Sequence, residues 1–320
     1  MAVGRFPAAR LRRVRMNPWS RAMVRENSLS PSDLVWPVFV KEGSGAPEAI
    51  PSLPGVVRHT LGSLGAAVQE AAALGIPMIA LFPVTPSDLK DERGSEALNP
   101  DNLMCRAISV VKDAAPHVGI MADVALDPYT SHGHDGVLAA HPRPCPGGDT
   151  TIVDNDASVD LLTQQALLFA RAGADVVAPS DMQDGRIGSI RSALEGEGHP
   201  NTMIMSYAAK YATYQQDPAN VKEALREVAQ DVEEGADMVM VKPGLPYLDV
   251  TAAVAGAFPG VPLFAYHVSG EYAMVKAAGE RGWLDADACM EEVLLGFKRA
   301  GADGVVTYAA VDVARSLAER

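Results

Sequence analysis

The stretches AGADVV (residues 172–177), EGADMV (234–239) and AGADGV (300–305) repeat one pattern at three places in the chain. Each begins where a segment with apolar residues every three or four positions stops, and each runs into a short apolar segment rich in valine or methionine. A glycine at such a boundary suits the left-handed residue that closes a helix, and the run after it suits a buried strand. The pattern therefore reads as helix end, turn and strand start.

Working outward from these joints, strands are expected at LVWPVFV (34–40), IPMIALFPV (76–84), GIMADVAL (119–126), ADVVAPS (174–180), TMIMSYA (202–208), ADMVMVK (236–242), VPLFAYHV (261–268) and ADGVVTYA (302–309). Their apolar residues are continuous rather than alternating, which implies burial on both faces and a parallel sheet. Helical periodicity occupies 61–75, 99–115, 158–173, 217–235, 271–282 and 285–301. The three joints fall at the fourth, sixth and eighth strands. Eight βα units predict an α/β fold of the closed (β/α)8 TIM-barrel type, typically about 250 residues long. Residues 1–30 are read as an N-terminal arm for subunit contacts and 31–320 as the barrel. A doubly wound open sheet competes, but no GxGxxG follows any strand.

Composition narrows the class. Of 320 residues, 48% are apolar, ample for a core, yet no apolar stretch approaches the roughly 20 residues of a membrane span. Cys105, Cys145 and Cys289 lie far apart without CxxC spacing, which argues against a thiolate metal site and suits a reducing cytoplasm. Net charge is −13, but residues 1–25 hold seven arginines and no acid. A cleaved transit peptide would be serine-rich, and the acidic body would repel nucleic-acid phosphate. The arm is expected to lie on the acidic body of a sister subunit, making a homo-oligomer.

Chemistry in such a barrel sits at the carboxyl ends of the strands. Lys242 ends strand six and Lys210 follows strand five; the other ends offer Asp123 and Asp127, Ser180 and Asp181, His267 and Ser269, and Tyr308. An amine nucleophile must be unprotonated, whereas free lysine titrates near 10.4. An apolar wall and a second ammonium can bring it to about 7–8. Two such lysines point to Schiff-base chemistry on a ketone or aldehyde. The competing reading is that both bind an anion such as phosphate.

VMVKPGLPYLD, MSYAAKYA, APSDMQDGRIGSIR, DVALDPYTSHGHDGVL and VSGEYAMVKAA together closely resemble the delta-aminolevulinic acid dehydratase (porphobilinogen synthase) family, from about residue 15 to the C-terminus. The resemblance implies a TIM barrel with an N-terminal arm, assembled as an octamer or hexamer, that condenses two molecules of 5-aminolevulinate into porphobilinogen early in tetrapyrrole and heme synthesis. It implies Lys242 and Lys210 as the imine-forming residues, Ser269 and Tyr308 as hydroxyls holding a substrate carboxylate, and Asp123, Ser180 and Asp181 as pocket residues. Zinc-type members carry three cysteines where this chain has Ala125, Asp127 and Asp135, so no catalytic zinc is expected; carboxylates suit magnesium or no metal. His132 and His134 are read as loop residues. Glu227 matches the family's allosteric magnesium ligand, against the plainer reading of a helix-surface glutamate.

Two departures from the family pattern stand out. The family has a long lid after the strand-five lysine, whereas AAKYATYQQDPAN (208–220) reaches the next helix in a few residues. Either the lid is deleted or a segment is missing from this sequence; a true deletion would weaken water exclusion and second-substrate binding. AAHPRPCPGGDT (139–150) is unusually rich in proline and glycine and carries no functional reading. Two rivals remain: a Schiff-base aldolase for sugar phosphates, for which strands seven and eight lack the glycine-rich phosphate loop, and a lid-less, inert subunit.

Overall fold

The computed structural model describes residues 4–140, 151–211 and 216–319. Eight parallel strands form the barrel, numbered one to eight here: Leu34–Lys41, Met78–Val84, Gly119–Val124, Val176–Pro179, Met203–Lys210, Met238–Lys242, Leu263–His267 and Gly304–Thr307. Each pairs with the next, and strand one pairs with strand eight through Leu34 opposite Val305 and Val35 opposite Val306, closing the barrel. All eight expected strands are present; six are two to four residues shorter than the apolar runs, and strands one and five are one residue longer.

The repeated joints explain how the strands are set. Gly173, Gly235 and Gly301 adopt φ of 106°, 109° and 106°, a conformation that costs a glycine nothing and any β-carbon-bearing residue a great deal. After each, the alanine N–H returns to the helix: Ala174 to Phe169 O, Ala236 to Asp231 O and Ala302 to Phe297 O, at 2.9–3.1 Å. The aspartate then does a second job. Asp175, Asp237 and Asp303 each accept the strand-start N–H of the neighbouring strand, from Ile120, Ile204 and Leu263, at 2.7–2.8 Å. Each joint thus closes a helix and pins the next strand in register.

The sequence reading missed three of the helices that cover the barrel: Arg186–Gly196, Leu248–Ala257 and Ala310–Ala318. It also missed a hairpin, Val137–Ala140 with Thr151–Asp154. This hairpin takes up the ends of the 139–150 loop, whose residues 141–150 lie outside the described set. The lumen is filled by alternate residues of the strands, including Val35, Ala80, Met121, Ala178, Met205, Tyr207, Met240, Tyr266 and Val306, as strand pleating requires. The opposite faces pack under the helices in a larger cluster. Residues 4–30 lie outside this frame as a 3-10 turn (Leu11–Arg15) and a short helix (Pro18–Met23). Phe6, Leu11, Trp19 and Met23 on this arm are 66–80% exposed.

Candidate active site

The two lysines meet because one strand breaks step. On strand six, Met238 and Met240 face the lumen, so Lys242 follows on the same face. On strand five, Met205 and Tyr207 face the lumen, and strict alternation would send Lys210 toward the helices. Instead, Met238 lies opposite Met205 and Val239 opposite Ser206, but Val241 lies opposite Ala209 and Lys242 opposite Lys210. Strand five holds one extra residue over this interval. Ala208 and Ala209 both pack on the helix side with Val228, Val239 and Val241, and Lys210 is returned to the barrel mouth beside Lys242. A bulge that re-aims a side chain is a recurrent device near reactive centres.

The surroundings of the amines favour chemistry. Lys242 Nζ lies 5.0 Å from the ring centres of both Tyr207 and Tyr266. Burial first, and then the charge of Lys210, bring its pKa down to about 8, against the opposing pull of Asp123, Asp127 and Asp135. Asp123 is buried, and its Oδ1 has no hydrogen-bond partner among the described residues. Burial pushes Asp123 up to about 7, with the charge of Lys242 opposing. Lys210 donates to Ser180 O at 2.6 Å and lies 3.7 Å from Asp135 Oδ2. Asp135 accepts the Leu126 N–H through its other oxygen at 2.7 Å. Orphaned carboxylate oxygens and a depressed amine in one recess are expected of a reactive site, since both are costly to keep.

Other expected residues divide. Tyr308, beyond strand eight, stacks on Phe39 at 5.8 Å with 15° between the planes, and its hydroxyl is 3.5 Å from that of Tyr266. Ser269 is exposed as the first residue of helix Ser269–Glu280, at the carboxyl end of strand seven. Asp127 stands exposed in the loop beyond strand three. Asp181 points away from the amines: Oδ1 accepts the Gln183 N–H at 2.8 Å, and Oδ2 lies 3.7 Å from Arg186 Nε. Arg186 in turn bonds Asp231 and Ser206 between strand and helix layers. His267 also turns outward, its Nδ1 3.0 Å from Thr307 Oγ1 with Tyr272 and Phe297 around it. For both, the cause is strand pleating, because Ser180 and Tyr266 hold the lumen-facing positions beside them.

The residues missed by sequence reading are the aromatic walls, Tyr207 and Tyr266, and a buried glutamate, Glu271. Counting by twos from Met205 and Phe264 would have found both tyrosines. His132 and His134 form a ring pair at 5.5 Å on the loop, with His132 Nε2 3.1 Å from Glu92 O.

The expected metal residues fare unevenly. Among the described residues, no three His, Cys, Asp or Glu side chains gather as a metal would need. Ala125 brings no donor atom, Asp135 faces an ammonium, and Asp127 belongs with Asp123 in the field around Lys242. A cation at Asp127 and Asp135 would have to share these carboxylates with the two lysines. Glu227 is half-buried on the outer helix Val221–Glu234, in a groove with Asn220, Glu223 and Arg226. Burial first, then Asp231, push its carboxyl above the ordinary range.

A TIM barrel whose mouth holds a desolvated amine, a second lysine in register and a buried aspartate beside them defines the class of lysine Schiff-base enzymes. The family model described as delta-aminolevulinic acid dehydratase matches residues 8–213 and 212–316, and the chain belongs to that family. The delta-aminolevulinic acid dehydratase of Bradyrhizobium diazoefficiens is 50% identical over 332 residues, covering 97% of this chain and 91% of that protein. That of Mycobacterium tuberculosis is 43% identical, covering 98% and 99%. The crystal structure of the Toxoplasma gondii enzyme in complex with porphobilinogen superposes with a TM-score of 0.91 at 45% identity, covering 97% of this chain and 92% of that one. The family match falls into two segments meeting at 212–213, just beyond Lys210. The alignment to the Bradyrhizobium protein spans 332 positions against 320 residues here, so that relative has residues this chain lacks. Residues 212–215, where the lid would begin, lie outside the described set.

Proposed function

We infer that this protein condenses two molecules of 5-aminolevulinate into porphobilinogen with loss of two waters, early in tetrapyrrole and heme synthesis. The observation that carries the reading is the register of Lys242 with Lys210 at one barrel mouth. Two ketone substrates need two amines, held close enough for the substrates to react as one unit. Neutral Lys242 attacks one ketone: a nitrogen–carbon bond forms and the oxygen leaves as water, giving an iminium that acidifies the adjacent C–H. Lys210 does the same with the second substrate. Asp123, titrating near 7, is placed to take the carbon-bound proton, since a base works best with a pKa near the working pH. One carbon–carbon and one carbon–nitrogen bond then join the substrates, and both amines are released unchanged. Ser269 and Tyr308 hold a substrate carboxylate at the rim, and Ser180 orients Lys210 through its carbonyl.

Borohydride added with 5-aminolevulinate tests the reading. Peptide masses should show one reduced substrate on Lys242, whereas an unmodified Lys242 at saturating substrate would overturn it.

The finer points rest on the donor atoms. With Ala125, Asp127 and Asp135 in place of thiolates, catalysis runs without zinc, and magnesium acts from outside the mouth through Glu227 at a subunit contact. Chelator should then lower activity by weakening assembly, so activity and sedimentation should fall together. The arm joins copies of the chain into an octamer or hexamer. No helix among the described residues is long and apolar enough to cross a membrane, and the free Cys105 and Cys289 suit a reducing cytoplasm.

A further inference from the structure

Glu271 is 2% exposed, at the third position of helix Ser269–Glu280. Its Oε2 accepts the Val268 N–H at 3.1 Å, and its Oε1 accepts the Leu245 N–H at 3.1 Å. The Gly244 N–H lies alongside. Val268 immediately precedes Ser269, and Leu245 is three residues beyond Lys242. One carboxylate therefore ties the turn that follows the imine-forming lysine to the helix start that carries the substrate-binding hydroxyl.

Three observations give this link more weight than an ordinary helix cap. A cap needs the Val268 bond alone, and the bond to Leu245 crosses to another βα unit. The turn it holds is tightly confined, since a β-carbon on Gly244 would come within 2.5 Å of the Phe297 ring and 2.9 Å of Tyr266 O. The carboxylate is also held by backbone N–H groups with no cation contributing. A buried carboxylate without a counter-ion is costly, and burial pushes Glu271 up to about 7.

We propose that Glu271 is a positioning residue that fixes the spacing between the Lys242 amine and the Ser269 hydroxyl. The proposal rests on the reading of Lys242 and Ser269 given above. Two variants test it. Glu271→Gln keeps the shape but leaves one of the two N–H groups facing an amide NH2. Glu271→Asp keeps a cap, as Asp33 does here for the Ser30 N–H at 2.7 Å, but is too short to reach Leu245. In both, KM for 5-aminolevulinate should rise about tenfold and borohydride trapping at Lys242 should slow about tenfold, the scale expected of a small misplacement. The Glu271→Asp protein should melt close to the parent. Peptides spanning 243–247 should exchange amide hydrogen faster in both variants. KM and trapping rates within twofold of the parent in Glu271→Asp would overturn the proposal even if Glu271→Gln failed to fold. A parent protein that is not trapped at Lys242 would instead sink the functional reading on which the proposal stands.

Discussion

Lys242 is pushed in one direction by burial and Lys210 and in the other by three aspartates. Its neutral fraction should grow as pH rises through about 8, so the rate of borohydride trapping should climb through that range and then level. Replacing neighbours should move the midpoint in opposite senses. Lys210→Met removes a like charge and should shift it upward, whereas Asp123→Asn removes an attractive one and should shift it downward. Midpoints moving together would show that the charges do not act on the amine in this way. Stability follows from the same shift. The native amine loses its proton at a lower pH than the unfolded one, near 10.4, so this residue makes the fold more stable as pH rises from about 8 to that value. Below the window its cost is constant, about 3 kcal/mol at most, and partial access to solvent lowers it. Lys242→Met should therefore abolish activity yet raise stability at pH 7, measured by urea unfolding. Both lysines were legible in the sequence because they end apolar runs. The outward turn of Asp181 and His267 was not read, although counting by twos from Ala178 and Tyr266 puts both on the helix side.

Among the elements, the glycine–alanine–aspartate joints were the most legible part of the fold, and the structure shows why. Glycine is required by backbone geometry, and aspartate by a strand-start N–H that would otherwise lack an acceptor. Asp175, Asp237 and Asp303 replaced singly by alanine should each lower stability by about 1 kcal/mol in urea unfolding. The effect stays small because the side chains of Asp175 and Asp237 are 37% and 45% exposed, so water can replace them. Asparagine at the same positions keeps an acceptor oxygen and should recover most of the loss. The helices that were missed lack such marks. Arg186–Gly196 starts from a left-handed Gly185 without a side-chain cap. Leu248–Ala257 is mostly alanine, valine and glycine, with Asp249 and Thr251 its only polar side chains. Tyr211 and Tyr247 show another link that no local pattern encodes: their rings stack at 4.0 Å, and the Tyr211 N–H bonds Lys242 O at 3.0 Å, joining the two lysine-bearing strand ends.

For the whole molecule, charge and exposure agree. The arm carries arginines and bare apolar side chains, while the rest of the chain is acidic. Removing residues 1–25 should reduce the sedimenting species to smaller units, and raising salt should loosen the full-length assembly, because exposed charge pairs are screened. An unchanged sedimentation coefficient in both cases would rule out assembly through the arm. The bulge in strand five has a further consequence for how such a chain can change. Along this strand side chains alternate, so the gain or loss of one residue inverts everything downstream, like a frameshift written in geometry. Deleting Ala208 would point the second amine into the helix shell and leave a barrel with a single working imine centre. That variant should still be trapped by borohydride at Lys242 yet make no porphobilinogen. Strand five ends at Lys210, so a change of chain length after it leaves the strand's phase untouched. A whole lid can vary in size at that point while the pairing of the amines persists.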